Sequence, residues 1–453
     1  LPITIPTYQS LRSQIQARET EFLNDFNQVF PNIKNPEEYE MALYALSNLI
    51  GGIIYYYGPI LIKEDPTPQP PLPFFTATPT RNSFERGFLW DEGFHNLLIC
   101  RWSPDLCTAT MNLWFNSQYK TGWIAREQAR GDEIQSMIPG DFLVQSNLEG
   151  NPPTLMMAID YLLSDSQNQK LMTQFLQTNY NKIYKWWYWF YTSQQVYDSQ
   201  GRGLNLFLWS SKNFSGSIQY FGSGLDDYPR GDPGLISKYH LDLHVWEIVF
   251  AQVMYKIASF MNDKGNMTYF SQLNQTLIKN LNVFLDPADN LYKDVFQPVN
   301  DSSKSVPSSH VGYVTLMPLL FGLVAENSPS FNATLNLVDS TINGVMWSPS
   351  GILSLARNDS AFEKNSNYWT GPIWVNFNYL LLRSFTKYFP TNKRAQTCFT
   401  SIKNAIVGTM IQNFENTGYI WEHYNHTTAK GEGNHPFTGW STLIVLPLAQ
   451  DYN

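Results

Sequence analysis

The stretch 222–230 combines two glycines, the adjacent carboxylates Asp226 and Asp227, a proline and an arginine. Glycine relaxes the backbone and Pro229 removes a hydrogen-bond donor, so the stretch predicts a tight loop that presents its carboxylates. An isolated pair of aspartates is most often a solvated turn. At least four further stretches of similar composition alternate with apolar helical patterns, however, and this favours a functional loop.

These stretches bring acidic and aromatic side chains together in the sequence. The carboxylates are Asp91, Glu92, Glu127, Asp226, Asp227 and Glu422. The tryptophans beside them are Trp90, Trp123, Trp369, Trp374, Trp421 and Trp440. Carboxylates and indoles on loops are typical of glycoside hydrolysis, which needs one protonated acid and one carboxylate that acts as base or nucleophile. An indole beside the acid disfavours its ionised form.

Three arginines, Arg86, Arg126 and Arg230, lie in the same stretches and would orient carboxylates or bind sugar hydroxyls. The residues by themselves also leave open a carbohydrate-binding protein without catalysis. Aromatic residues make up 15% of the chain, more than a core of this size needs, and flat amphipathic rings suit the apolar faces of sugars.

Other chemistries lack support in the sequence. There is no G-x-S-x-G nucleophile elbow, no Walker loop and no dinucleotide fingerprint. His240 and His244 are four residues apart, as zinc ligands on a helix can be, but the intervening glutamate pattern is missing. We therefore expect neither a metal nor another cofactor. The net charge of −8 and the absence of a basic stripe argue against a nucleic-acid partner.

The elements that position these stretches are predicted to be helices. Hydrophobic periodicity indicates roughly a dozen helices and at most two strands, near 207–210 and 419–422. The first helices are predicted at 11–30 and 36–57. Because the unusual stretches recur after about every second helix, we expect an all-α toroid of helical hairpins with functional loops at one end. We divide the chain into a lead-in segment, 1–35, and one catalytic domain, 36–453.

Four of the stretches closely resemble the processing α-glucosidase I family. They are 86–95 (RGFLWDEGFH), 224–230 (GLDDYPR), 369–374 (WTGPIW) and 435–441 (HPFTGWS). The similarity runs in order from residue 22 to the C-terminus. It implies an (α/α)6 barrel in the endoplasmic reticulum lumen. It also implies an inverting exo-α-glucosidase that removes the terminal α-1,2-linked glucose from the triglucosylated N-glycan precursor.

The resemblance also implies roles for individual residues. Asp226 matches the general acid, and Glu422 matches the general base that activates water. The residues expected to bind the glucose are Arg86, Trp90, Asp91, Glu127, Trp369 and Trp440. Asp227 could be the acid instead, but a loop-stabilising bond to Arg230 is the simpler expectation.

Several side chains in the motifs have structural interpretations. Glu92 could begin a helix, where a carboxylate suits the helix dipole. Trp374 and Trp421 could equally be core tryptophans. A bridge between Cys100 and Cys107 is conceivable, with Cys398 left free.

The family resemblance leaves two alternatives for function. The chain could hydrolyse a small α-glucoside, or it could be a lectin-like relative that has lost catalysis. The presence of both Asp226 and Glu422 argues against the second. Family members carry a membrane anchor and an N-terminal β-sandwich domain before the barrel, and this chain shows neither. We therefore expect a cut fragment, whose anchor and β-sandwich domain lie upstream, or a naturally shortened relative.

Overall fold

The computed structural model describes residues 7–67, 69–214, 217–364 and 366–453. Within them lie fifteen α-helices, α1 to α15. Their bounds in chain order are Tyr8–Val29, Pro36–Gly51, Leu89–Trp102, Pro104–Asn116, Asp132–Met137, Gly140–Leu143, Leu155–Ser164, Gln169–Ser193, Leu241–Phe260, Lys264–Asn280, Tyr313–Leu320, Pro329–Val338, Val375–Phe385, Lys393–Thr417 and Val445–Ala449. A 3₁₀ segment at Trp440–Ile444 leads directly into α15. None of the described helices is long and apolar enough to cross a membrane.

Local sequence explains where several of these helices begin. At the start of α2, the Asn35 side chain accepts hydrogen bonds from the backbone N–H groups of Glu37 and Glu38. Pro36 occupies the first turn, where its missing N–H is not needed. A serine cap followed by proline opens α4 and α12 in the same way. The predicted helix starts therefore rest on capping chemistry as well as on periodicity.

Six helical segments form the inside of the molecule. They are α3, α7, α9, α11, α13 and the 3₁₀ segment that continues into α15. Each contacts the next in chain order and the last contacts α3, so the six segments make a closed ring. The outer helices α4, α8, α10, α12, α14 and α2 each pack against one or two inner segments. The predicted helical toroid of the (α/α)6 class is confirmed.

Nineteen short strands, β1 to β19, lie in the described connections between helices. Their bounds are Ile53–Gly58, Leu61–Ile62, Leu72–Ala77, Gly87–Phe88, Glu127–Gln128, Val144–Gln145, Gln195–Tyr197, Gly203–Phe207, Lys212–Phe214, Ser217–Gln219, Leu235–Tyr239, Leu285–Asp286, Leu291–Tyr292, Val295–Pro298, Val306–Pro307, Trp347–Ser348, Gly351–Ile352, His423–Tyr424 and Gly431–Glu432. β11, β14 and β15 form one three-stranded sheet, and the other sheets have two strands.

The prediction of at most two strands is therefore wrong. Most of the strands have two or three residues, which is too short for an alternating pattern to be visible in the sequence. The predicted helix 36–57 also ends early, at Gly51, and 53–58 instead forms β1, which pairs antiparallel with β3.

The stretches predicted to carry chemistry lie where the chain passes from an outer helix to the next inner segment. Trp90 is in the first turn of α3, and Glu127 is in β5 between α4 and α7. Asp226 lies between α8 and α9, Trp369 shortly before α13, and Glu422 between α14 and the last inner segment. In a ring of hairpins these connections share one end. The side chains therefore meet near the N-terminal ends of the inner helices.

The N-terminal helix α1 is largely exposed, and Phe26 is its one buried residue. The division of the chain at residue 35 stays a prediction. A disulfide joins Cys100, near the end of α3, to Cys107 in α4. Cys398 is free and buried in α14.

Candidate active site

The functional connections line a pocket with a volume of about 60 Å³. Its lining residues are Pro79, Phe84, Phe88, Trp90, Asp91, Arg126, Gly224, Asp226, Tyr368, Trp369, Glu422, Phe437 and Trp440. Six of the eight residues predicted to form the site are among them. The carboxylates expected to be acid and base, Asp226 and Glu422, share this pocket. Arg86 and Glu127 are not part of its lining.

Sequence reasoning missed several of the lining residues. Phe84, Phe88 and Phe437 contribute apolar wall, and nothing in their spacing separates a pocket aromatic from a core aromatic. Tyr368 had a usable signal, because it precedes Trp369 inside one of the unusual stretches. Its role depends on a hydrogen bond to a residue 54 positions away, which the sequence does not reveal.

Asp226 lies in a turn that begins at Gly224, whose φ of 80° is left-handed. A Cβ at Gly224 would lie 2.6 Å from the Trp90 ring, so glycine lets the loop approach the indole. The Asp226 side chain keeps 31% of its surface exposed. Burial raises the pKa of Asp226 to about 6, against the opposing charge of Arg126, whose Nη2 is 3.5 Å from Oδ1. Such a carboxyl retains its proton at mildly acidic pH, as a general acid must.

Glu422 is buried, and its carboxylate is held at both oxygens. The backbone N–H and the side-chain amide of Asn434 donate to Oε2 over 2.9 and 2.7 Å. The Tyr368 hydroxyl donates a short hydrogen bond to Oε1. Because a carboxylate oxygen accepts about two hydrogen bonds, Oε1 keeps one acceptor position that no described residue fills. Since Glu422 lines the pocket, a water molecule can occupy that position.

Three indoles form the aromatic wall of the pocket. The Trp90 ring lies 5.1 Å from Trp440 and 5.9 Å from Trp369, measured between centroids. The indole N–H groups of Trp369 and Trp440 are buried and donate to no residue that the structure describes. A sugar ring packs well against such faces. The wall therefore fits a carbohydrate.

Two buried acidic residues, Asp91 and Glu127, lie near the positive charge of Arg126. Asp91, in the first turn of α3, has its pKa raised well above the usual range by burial, although Arg126 opposes the shift. Glu127 accepts from Arg86 through Oε2, which lies 2.7 Å from both Nε and Nη2 of the guanidinium. Its Oε1 is 3.7 Å from Nη1 of Arg126. Direct binding of glucose by Arg86 or Glu127 stays a prediction.

A family model described as the glycosyl hydrolase family 63 C-terminal domain matches residues 6–450. The chain belongs to glycosyl hydrolase family 63. α-Glucosidase 2 of Arabidopsis thaliana is 31% identical over 505 residues, which cover 98% of this chain and 63% of that protein. Mannosyl-oligosaccharide glucosidase of Saccharomyces cerevisiae is 30% identical over 97% of this chain and 62% of its own length. The chain thus spans less than two thirds of these relatives.

Solved structures give the same assignment for the fold. The GH63 mannosylglycerate hydrolase of Thermus thermophilus in complex with glucose has a TM-score of 0.63 to this chain. The match covers 92% of this chain and 100% of that chain, at 13% sequence identity. At this identity the likeness establishes a shared family 63 fold.

The prediction that Asp227 bonds to Arg230 is wrong. Arg230 is held by two other carboxylates, with Nη2 2.5 Å from Asp242 and Nη1 2.8 Å from Asp294. Asp227 instead accepts hydrogen bonds from residues 366, 368 and 369, in the connection that precedes α13. Spacing within one loop favoured the near arginine, but the fold brings a distant connection closer.

Other motif residues have structural environments in this family 63 chain. Glu92 is in the first turn of α3, as expected, and its carboxylate lies 3.1 Å from Nδ1 of His95, where both side chains are fully buried. Trp374 is a core residue that stacks on Trp369 at 3.8 Å, and its N–H donates to the Tyr368 carbonyl. Trp421 is half-buried outside the pocket.

Three of the four ring nitrogens in the histidine pair considered as zinc ligands take part in hydrogen bonds. Nδ1 of His240 is 3.1 Å from the backbone N–H donor of Trp209, and Nε2 is 2.9 Å from Oγ of Ser237. Nε2 of His244 lies 2.9 Å from the Leu277 carbonyl. Across the described ranges, no group of three His, Cys, Asp or Glu side chains is arranged as metal ligands.

Proposed function

We propose that this chain is the catalytic part of an inverting exo-α-glucosidase. Its substrate is the terminal α-1,2-linked glucose of the triglucosylated N-glycan precursor, met in the endoplasmic reticulum lumen. One observation carries the proposal: Asp226, with a pKa of about 6, and Glu422, with one open acceptor position, line the same pocket. The names of relatives such as mannosyl-oligosaccharide glucosidase support the choice of substrate.

The mechanism assigns opposite proton transfers to the two carboxyls. Asp226 donates its proton to the glycosidic oxygen as the bond from this oxygen to C1 breaks. Glu422 accepts a proton from a water molecule at the open position of Oε1, and that water attacks C1 from the opposite face. The products are β-glucose and the shortened glycan. Such a reaction leaves room for a water between the carboxyls, which are roughly 6.5–9.5 Å apart in inverting enzymes.

The shape around Asp226 favours an oligosaccharide over a small α-glucoside. Asp226 lines this pocket and also a larger cleft with a volume of about 940 Å³. The cleft is lined by the loop around 218–237 together with His310, Ser360 and Ser366. Because the acid must touch the oxygen between the two sugars, one glucose occupies the pocket and the leaving glycan lies in the cleft. A small glucoside would leave this cleft empty.

In this proposal the chain works beside further parts of a longer protein. The family's N-terminal β-sandwich domain would be a neighbour of the catalytic domain, and an upstream anchor would attach the protein to the membrane. The alternative of a carbohydrate-binding relative without catalysis is weakened by the geometry of Asp226 and Glu422, since binding alone needs neither a proton donor nor a base.

Proton NMR of the released sugar tests the proposal. The chain is mixed with a glycan capped by an α-1,2-linked glucose, and the anomer is observed before mutarotation. Immediate β-glucose is the expected result. Immediate α-glucose would mean retention and a misassigned base. Turnover of a small α-glucoside without release from the glycan would replace the proposed substrate, and no release from either would favour the binding protein.

A further inference from the structure

Asp227, the neighbour of the proposed acid, is bound to the segment that carries the partner of the proposed base. Its Oδ1 accepts from the backbone N–H of Trp369 over 2.6 Å. Its Oδ2 accepts from the N–H of Tyr368 over 3.0 Å and from the hydroxyl of Ser366 over 2.5 Å. One carboxylate therefore holds three donors of one connection, 366–369, which we call the clamped segment.

The clamped segment leads directly to the base. The Tyr368 hydroxyl donates to Oε1 of Glu422, the oxygen with the open acceptor position. The Tyr368 carbonyl accepts from the indole N–H of Trp374 over 2.9 Å, and the Tyr368 ring packs edge-on against Trp374 at 4.8 Å. With its backbone fixed by Asp227 and its ring fixed by Trp374, Tyr368 holds its hydroxyl in one place.

We propose that Asp227 is a positioning residue that orients the base Glu422 through Tyr368. The inference rests on the proposed function, because it names the residue that keeps the proposed acid and base in register. Asp226 and Asp227 are adjacent, so any shift of the acid loop moves the clamped segment with it. An inverting enzyme needs a fixed distance between its acid and its base, so that one water fits between them. Because Asp226 and Asp227 are neighbours, the hydrogen bonds of Asp227 to the clamped segment hold this distance constant.

A competing role for Asp227 acts on the acid instead. The negative charge of Asp227 contributes to the raised pKa of Asp226, after burial and against Arg126. If this charge were its main effect, replacement of Asp227 would weaken proton donation and leave water activation intact. The two roles differ in which half of the reaction fails, and a substrate that needs no acid separates them.

The experiment compares a glycan substrate with α-glucosyl fluoride, whose leaving group departs as an anion without protonation. Asp226→Asn calibrates loss of the acid and should recover much of its activity on the fluoride. Glu422→Gln calibrates loss of the base and should stay impaired on both substrates. We expect Asp227→Asn and Tyr368→Phe each to lower kcat about tenfold to a hundredfold on both substrates.

The double variant measures whether the two residues act in one chain. If Asp227 works through Tyr368, Asp227→Asn in the Tyr368→Phe background should cost much less than it does alone. If the losses of kcat in the two single variants multiply in the double variant, the proposal is wrong. Recovery of Asp227→Asn on the fluoride, or unchanged kcat on the glycan, would also overturn the proposal.

A matched control and a second readout keep folding and function apart. Asp198 also accepts three hydrogen bonds from one turn, two from Arg202 and one from Gln200, and lies outside the lining of the pocket and of the cleft. Asp198→Asn should keep wild-type kcat. Hydrogen–deuterium exchange at the Tyr368 and Trp369 amides should accelerate in Asp227→Asn and not in Asp198→Asn. Unchanged exchange would contradict the clamp even if the wild type cleaved neither substrate, a result that would by itself reject the proposed function.

Discussion

Asp226 and Glu422 are carboxylates on one pocket, yet their surroundings differ at the level of single atoms. Asp226 is half-buried and accepts one hydrogen bond, of 3.5 Å, from Arg126, whereas Glu422 is buried and accepts three hydrogen bonds. Burial favours the neutral form of Asp226, and the charge of Arg126 opposes it. The two carboxyls of one pocket therefore have different hydrogen-bond environments.

The first prediction at this scale concerns pH. Because Asp226 must be protonated to act, kcat/KM should fall as pH rises through about 6, the pKa of this group. Arg126 lowers that pKa, so Arg126→Gln should move the alkaline limb of the profile to higher pH. A kcat/KM profile from pH 4 to 9 measures the limb. Arg18→Gln, on the exposed helix α1, should not move it, and an unmoved limb in Arg126→Gln would contradict the assignment of the acid.

The second prediction concerns the base. Glu422→Gln changes charge without changing volume, so the variant should fold normally and lose about 10²–10⁴-fold in kcat. Initial rates on a glycan capped by an α-1,2-linked glucose measure the loss of kcat, and a thermal melt tests whether the variant folds normally. The nearby Glu432→Gln is the matched control, since Glu432 accepts from Asn425 and lies outside the pocket lining. Activity of Glu422→Gln within a few-fold of the wild type would place the base elsewhere.

The third prediction concerns the free indole N–H of Trp440. Trp440→Phe keeps an aromatic wall and removes the donor, so inhibition by D-glucose should weaken by about 1 kcal/mol, or roughly fivefold. Competition kinetics give the inhibition constant. Trp187 also has a buried N–H without a described partner but lies in the outer helix α8. Trp187→Phe should leave the constant unchanged, and equal constants in both variants would make Trp440 a packing residue.

At the scale of elements, α3 and the last inner segment contribute residues to the pocket, and the bodies of the inner helices form the core. In α9, one buried side chain of the helix body destabilises the fold. Glu247 is fully buried there, and neither carboxylate oxygen has a partner among the residues the structure describes. Burial raises its pKa well above the usual range. A buried polar group without hydrogen bonds destabilises the fold by about 1–3 kcal/mol.

The fourth prediction follows from this helix. Glu247→Met should raise the free energy of unfolding by about 1–3 kcal/mol, measured by denaturant titration. The folded state holds the Glu247 proton more tightly than the unfolded chain, so wild-type stability falls as pH rises above the unfolded value of 4.5. The gain from methionine should therefore grow over that range. Glu247→Gln, which stays polar, should gain less; a destabilised Glu247→Met would mean that the carboxyl has an unseen partner.

At the scale of the molecule, the helical ring could be predicted because α-helical periodicity repeats over long segments. The short strands could not, since pairs such as β18 with β19 are set by neighbours rather than by their own two residues. The same limit applies to the site. Trp90, Asp226 and Glu422 stood out because of the composition of their stretches. The hydrogen bond from Tyr368 to Glu422 arises only from the fold, and so do the hydrogen bonds of Asp227 to residues 366–369 in place of Arg230.

The ring is closed by contacts between its first inner helix and its last inner segment, and this has a consequence for synthesis. Arg101 in α3 donates to both carboxylate oxygens of Asp451, and the Thr438 N–H donates to the Pro79 carbonyl over 2.7 Å. A ribosome delivers Glu422, Phe437 and Trp440 after the rest of the pocket lining. A nascent chain therefore has five inner helices without their sixth neighbour, exposes their apolar sides and lacks Glu422. In the proposed function, hydrolysis begins only when the segment that carries Glu422 and Trp440 has been made and docked.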